Sequence, residues 1–393
     1  MISYSKQSIS EKDIGEVKKV LKSDFLTQGP KVPIFEEKIR KYVGAKFATA
    51  VSSASAALHL SCIALGLKKN DLLWTVPNTF VASATCGLHC GAKIDFVDIN
   101  DDDHNISIEE LEKKLKVAKE KKQLPKVLVT VHFSGLPVNQ EKIYILSKKY
   151  GFKILEDASH ALGAKYKNEK VGSCKWSDMT VFSFHPVKPI TTAEGGVITT
   201  NNKKYFEQVA KLRTHGITKK LNDLKKKIKK KWYYEFQSLG FNYRMSEIHA
   251  ALGISQLEQL DKFLIKRNKL ALRYFKKMKL LNFILPVMDK YKYSTFHLFV
   301  IKIDFKKIKL TYDRVFNKLI SHGLHVNLHY LPVHLHPYFK KLGFKNGDFP
   351  VSEKYSKCAI SIPIYYQMNN KTQDKIINLL KKISDTSKVK RFN

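Results

Sequence analysis

The sequence predicts an α/β protein: a large domain on a mixed, mostly parallel central sheet flanked by helices, then a smaller C-terminal α+β domain. Three observations point there. Helical and strand patterns alternate from about residue 10 to 200. The strand segments are β-branched, near-continuous apolar runs, as expected of strands buried on both faces. After residue 240 the alternation gives way to a long helical stretch followed by short strands and helices.

In order, SEKDIGEVKKVL opens with Ser10 and Asp13 at capping-box spacing and carries Ile14, Val17 and Leu21 on one face. ASAALHLSCIALG (54–66) is an apolar helix closed by Gly66. LLWTVP (72–77) is a strand, FVASATCGLHCG (80–91) a helix, KIDFVDI (93–99) a strand and SIEELEKKLK (107–116) a helix. KVLVTVHFSG (126–135) is a strand ending in a glycine turn, EKIYILSKKYG (141–151) a helix and FKILED (152–157) a strand. MTVFSF (179–184) and GGVITT (195–200) are further strands. A long helical stretch beginning at SEIHAALG and the strand STFHLFVIKI (294–303) belong to the last part of the chain. The boundary falls within 245–265, giving domains over 1–250 and 251–393, without internal repeats.

With 393 residues, 44% hydrophobic and 11% aromatic, the chain is long enough for two cores and unlike a disordered one. No apolar run has the length to span a bilayer, and MISYSKQSIS lacks a signal-peptide layout. Cys62, Cys86, Cys90, Cys174 and Cys358 are odd in number and unpatterned, so they read as reduced thiols of a cytoplasmic protein. The net charge of +35 fits either a lysine-coated surface or a binder of nucleic acid or anionic membranes. Lysines spread over most surface-like segments favour the first. The densest run, KKLNDLKKKIKKKW (219–232), reads as an exposed excursion.

Three features fall at strand ends, where α/β sheets bind ligands. GFKILEDASHALGA (151–164) delivers Glu156 and Asp157, then His160. Such a carboxylate suits a metal ligand, a general base or the partner of a ring nitrogen; a helix cap is the plain alternative. VSSASAALHL (51–60) sends small hydroxyl residues into a helix, and free N–H groups there suit a phosphate, or simple capping. It is neither a P-loop nor a GxGxxG fingerprint. FSFHPVKPITTAEGG (182–196) fixes Lys188 between Pro186 and Pro189, five residues after Ser183. A lysine that is to react with an aldehyde must be held and partly desolvated so that its amine can be neutral. A phosphate site, an acid for a pyridine nitrogen and a constrained lysine are the three handles of pyridoxal phosphate, PLP.

At these residues the chain resembles the DegT/DnrJ/StrS family of PLP-dependent sugar-nucleotide aminotransferases, from about residue 4 to 380. The motifs that carry the resemblance are LTQGPKVPIFEEKI (26–39), SSASAALHL, VPNTFVASA (76–84), FVDI (96–99), EDASHALGA, the Lys188 stretch, GFNYRMSEIHAALG (240–253) and SIPIY (361–365). LTQG, EDASHALG and SFHPVKPITTAEGG are most similar to the subgroup of pseudaminic acid biosynthesis, which aminates the C4 keto group of a UDP-linked 4-keto-6-deoxy-N-acetylhexosamine.

The resemblance implies the fold type I, aspartate aminotransferase-like architecture, with PLP held by the large domain. It makes Lys188 the Schiff-base lysine and Asp157 the partner of the pyridinium. Phe80 would stack on the cofactor ring and His160 would turn toward its phenolic oxygen. The Ala54 backbone, Ser55 and Ser183 would hold the phosphate. Asn242 would reach the phosphate of the other subunit's cofactor, which implies a homodimer with shared sites. Tyr4, Phe25, Leu26, Thr27, His185, Glu194, Asn327, Leu328, His329 and Tyr330 would hold the nucleotide sugar, and L-glutamate would donate the amine. Other keto sugars remain an alternative substrate. Lys188 argues against the family's dehydratases, which carry histidine there.

A zinc site is the remaining rival. His322, His325, His329, His334 and His336 crowd residues 321–337, with His325 and His329 at i, i+4 spacing. That segment reads as strand and turn rather than helix, so no metal is expected. No nucleic-acid or membrane partner is expected either.

Overall fold

The computed structural model describes residues 1–228 and 230–385. Its centre is a seven-stranded sheet of β1 (Phe47–Val51), β2 (Leu72–Thr75), β3 (Lys93–Phe96), β4 (Val127–Val131), β5 (Lys153–Asp157), β6 (Met179–Ser183) and β7 (Gly196–Thr200). The spatial order is β1-β7-β6-β5-β4-β2-β3. Strands β6, β5, β4, β2 and β3 run parallel, and β7 lies antiparallel between β1 and β6. The carboxyl ends of β1, β2, β4, β5 and β6 therefore share one edge. Residues of β4 and β6 are buried throughout, because helices cover both faces.

The flanking helices are α1 (Glu11–Leu21), α2 (Lys31–Val43), α3 (Ala54–Ala64), α4 (Ala82–His89), α5 (Ile108–Glu120), α6 (Gln140–Tyr150) and α7 (Lys203–Leu212). Helix α1 has the reciprocal capping box of Ser10 and Asp13. Its apolar face is not covered: Ile14 and Leu21 stay exposed, in a groove they share with Ile9, Val17 and Leu252. Helix α3 is buried on nearly every side, which its uniformly apolar sequence dictates.

The stretch from 246 onward is two helices, α8 (Glu247–Leu257) and α9 (Leu260–Met278), rather than one. Gln256 stands at the end of α8. Its side chain donates to the Ser8 carbonyl and to Asp13 Oδ2, both at 2.8 Å, and so pins the end of α8 to the start of α1. Helix α9 then leads to the second sheet of β8 (Phe283–Ile284), β9 (Phe299–Ile303) and β10 (Ala359–Ile362), ordered β8-β9-β10 and antiparallel. A separate core of Leu270, Tyr274, Phe299, Ile301, Ile360 and Leu380 forms around it.

The expected strand over 294–303 is shorter than its pattern suggests. Residues 294–298 leave the second sheet and dock against the segments that follow β4 and β5. Thr295 N–H donates to Gly135 O at 3.1 Å, and Thr295 Oγ1 to His160 O at 2.6 Å. No helix among the described residues is long and apolar enough to cross a membrane.

Candidate active site

The carboxyl edge of the sheet, His297 and the segment Asn327–Tyr330 line a cavity of 550 Å³. A hollow of 580 Å³ at the opposite, amino ends of β2, β3 and β4 is lined by Trp74, Lys93 and Lys114 and brings no comparable set of groups together.

Strand β5 ends on Asp157, which is buried. Its Oδ1 accepts the Ser159 N–H at 3.1 Å and its Oδ2 accepts the Ser83 hydroxyl at 2.7 Å. Glu156, next to it in sequence, points to the other face of the sheet. There it accepts from Thr180 (2.6 Å), Ser177 (3.0 Å) and Gln140, with His132 Nε2 at 3.6 Å. Burial pushes the Glu156 carboxyl up, but His132, Thr180 and Gln140 outweigh it and hold the group below its usual value. Adjacent acids thus divide: one braces the sheet and the other faces the cavity.

Lys188 sits in the loop after β6. Its N–H closes a turn on His185 O at 2.9 Å, and Ser5 Oγ donates to Val187 O at 3.1 Å. The residue is half-buried and lines the cavity. Desolvation lowers its pKa to about 8, against an opposing pull from the Asp157 charge. That coupling, with both residues lining the cavity, puts the amine and the carboxylate in one site.

Helix α3 enters the cavity N-terminus first. Ser53 caps it by accepting the Ala56 N–H at 3.1 Å, and Ala54, Ser55 and, from β6, Ser183 line the wall beside it. First-turn N–H groups have no carbonyl within their own helix to serve, so they face the cavity as donors for an anion. Gly196 permits this approach: a Cβ there would lie 2.6 Å from Ser53 O and 2.8 Å from Ala54 N.

Imidazoles form the far wall. His160 Nε2 meets the Tyr330 hydroxyl at 3.2 Å, and its ring centroid lies 4.3 Å from that of His297. Burial, then the charge of Lys188, keeps His160 well below its usual pKa. Its Nδ1 is buried without a partner. His329, whose Nδ1 meets Ser361 Oγ at 2.8 Å, is pushed down to about 3 by burial and then by Lys188. His185 is lowered by burial, with Glu194 opposing and Lys188 adding to the fall. Tyr330 is fixed by its N–H to Asn78 Oδ1 at 3.0 Å, and burial raises its phenol.

Of the residues singled out from sequence, the cavity gathers Tyr4, Ala54, Ser55, Phe80, Asp157, His160, Ser183, His185, Lys188, Glu194, Asn327, Leu328, His329 and Tyr330. It does not gather Phe25, Leu26, Thr27 or Asn242. Phe25 and Leu26 are exposed, Thr27 pairs with Ser246, and Asn242 pairs with Thr214. Among the histidines of 321–337 only His329 lines the cavity, while His334 is buried against Glu353 at 3.0 Å. Among the described residues no three His, Cys, Asp or Glu side chains converge to hold a metal.

Sequence reasoning passed over Ser83, Thr79, Ser159 and His297. Ser83 had a signal: it follows Phe80 by three residues at the start of a predicted helix, and so shares its face. His297 had none, since it sat inside an apparent strand.

These residues fit PLP: a helix terminus with two serines for a phosphate, a buried carboxylate, a depressed amine and a buried imidazole nitrogen without a partner.

The family model of the DegT/DnrJ/EryC1/StrS aminotransferases matches residues 7–381. The chain belongs to this family. It is an aminotransferase of the PLP-dependent kind, with the fold type I architecture that the sheet order displays. Over 392 residues it is 39% identical to the UDP-4-amino-4,6-dideoxy-N-acetyl-β-L-altrosamine transaminase of Campylobacter jejuni, covering 98% of both chains. Its structure is similar to that of Helicobacter pylori PseC, an aminotransferase involved in the biosynthesis of pseudoaminic acid. That match has a TM-score of 0.89 at 31% identity and covers 98% of this chain and 99% of the other. It is also similar to the putative sugar aminotransferase Spr1654 of Streptococcus pneumoniae in its PMP-form. There the TM-score is 0.88 at 26% identity, with coverage of 98% and 100%.

Proposed function

We propose that this aminotransferase moves the amino group of L-glutamate to the C4 keto group of a UDP-linked 4-keto-6-deoxy-N-acetylhexosamine, in the cytoplasm, on the way to pseudaminic acid. The observation that carries the reading is one cavity that joins the Lys188 amine to the Asp157 carboxylate in a chain 39% identical, end to end, to the altrosamine transaminase. PLP, when bound, supplies an aldehyde to take the amino group and a ring that accepts the electrons released at carbon.

The protein's own side chains do the rest. Lys188, its amine pushed down to about 8, would be the nucleophile toward the aldehyde and would move a proton as base and acid. Asp157 would pair with the pyridine nitrogen. The Ala54 backbone with Ser55 and Ser183 would hold the phosphate, and Phe80 would lie against the ring. Neutral His160, tied to Tyr330, presents a hydrogen-bonding edge without adding charge. Tyr4, His185, Glu194 and the segment Asn327–Tyr330 form the mouth for the nucleotide sugar.

Asn242, Phe25, Leu26 and Thr27 act, in this reading, from a second copy of the chain. The exposed apolar surface of Ile9, Ile14, Leu21, Phe25 and Leu26 supports a homodimer that covers it. The test is to incubate the purified protein with PLP, L-glutamate and a panel of UDP-linked and dTDP-linked keto sugars, with product masses read out. A 4-amino product from the UDP-linked N-acetylhexosamine alone supports the reading. Amination of a 3-keto sugar, or of none, overturns it.

A further inference from the structure

Asp157 has two oxygens, and the chain uses each to hold it. One takes the Ser159 N–H, local to the turn after β5; the other takes Ser83 Oγ, which arrives from α4, 74 residues away in sequence. Ser83 is fully buried and stands 2.7 Å from a second hydroxyl, Thr79 Oγ1, itself buried. An ionised carboxylate only accepts hydrogen bonds, and a hydroxyl has one proton to give. Ser83 must therefore donate to Asp157, and Thr79 must donate to Ser83. The direction of the chain Thr79 to Ser83 to Asp157 is fixed by chemistry alone.

The same turn of backbone carries Phe80 into the cavity, and Ser83 N–H donates to Phe80 O at 3.2 Å. One rigid turn thus places a ring-facing side chain and aims the carboxylate.

We propose that Ser83 is a positioning residue for Asp157, with Thr79 behind it, and that this hydroxyl relay sets both the orientation and the basicity of the carboxylate toward the cofactor's pyridine nitrogen. The inference rests on the reading of Asp157 as that nitrogen's partner. Without Ser83 the carboxylate keeps one anchor, is free to rotate, and loses a donor that shares its negative charge.

The experiment titrates cofactor-free wild type, Ser83→Ala and Thr79→Val with PLP, following visible absorbance, its dependence on pH, and the melting temperature of each cofactor-free protein. Losing one charge-assisted hydrogen bond weakens PLP binding roughly 10- to 100-fold in Ser83→Ala. The absorbance of the bound cofactor then titrates at a displaced pH, while the cofactor-free melting temperature stays within a few degrees of wild type. Thr79→Val, which is isosteric, shifts affinity and titration the same way by less. Wild-type affinity and titration in Ser83→Ala overturn the proposal, as does a fall in melting temperature with both unchanged. Should Ser83→Ala not fold, Thr79→Val decides, and wild-type behaviour there overturns the relay. Failure of the wild type itself to take up PLP would strike first at the reading of Asp157, and this inference would fall with it.

Discussion

The titration of Lys188 follows most directly from the cavity's construction. Its amine is pushed down to about 8 by desolvation, with Asp157 pulling the other way. An ordinary lysine titrates near 10.4, so at pH 7 the neutral fraction rises from about 0.04% to about 9%, roughly a 200-fold gain in reactive amine. Trace acetylation of the cofactor-free protein with acetic anhydride, over pH 6–11 with peptide mass spectrometry, reads this site by site. Lys188 should label with a midpoint near pH 8, and Lys113, raised by Glu109 and Glu110, well above it. Asp157→Asn removes the opposing charge, so its Lys188 midpoint should fall below that of the wild type. A Lys188 midpoint at 10 or above, or a rise in Asp157→Asn, would refute the desolvation argument. The sign for stability follows. The folded pKa is below the unfolded one, so the buried amine destabilises the fold in full below about pH 8. That penalty fades as pH rises toward 10.4.

Other outcomes are expected. Lys188→Ala should lower transamination by at least about 10³-fold, checked by product formation. Glu156→Ala leaves Thr180 and Gln140 buried without their acceptor and should destabilise the protein by roughly 2–4 kcal/mol in urea denaturation. Because the folded pKa of Glu156 lies below its unfolded value of about 4.3, its contribution is present above that pH. It is lost as pH falls through the folded value, which acid titration of the two proteins compares. Ile14→Lys places a charge on the exposed face of α1 and should weaken self-association, seen as a concentration-dependent shift in sedimentation.

Much of this was legible in the order of residues, for physical reasons. Strands β4, β5 and β6 are apolar runs that only a doubly covered sheet can use, and Asp157 and Ser183 sit where such runs end. The proline frame marked Lys188 because a solvated lysine needs none. Other features depended on packing between distant segments. Gln256 at the end of α8 reaches Ser8 and Asp13, a contact that no local propensity encodes. His297 entered the cavity because Thr295 exchanges the second sheet for a bond to His160. Ile14 and Leu21 read as a core face yet stay exposed in one chain, since periodicity gives a face but not what covers it. Ser83 shows the intermediate case: its helical phase with Phe80 was readable, but its contact with Asp157 required the fold.

One reduction experiment bears on the whole account. The protein is saturated with PLP, treated with borohydride and digested, and the pyridoxyl-bearing peptide is located by mass. Label on Lys188 alone is the outcome that joins the depressed amine, the carboxylate and the helix terminus into one working site. Label spread over other lysines, or absent from the 182–196 stretch, would contradict it.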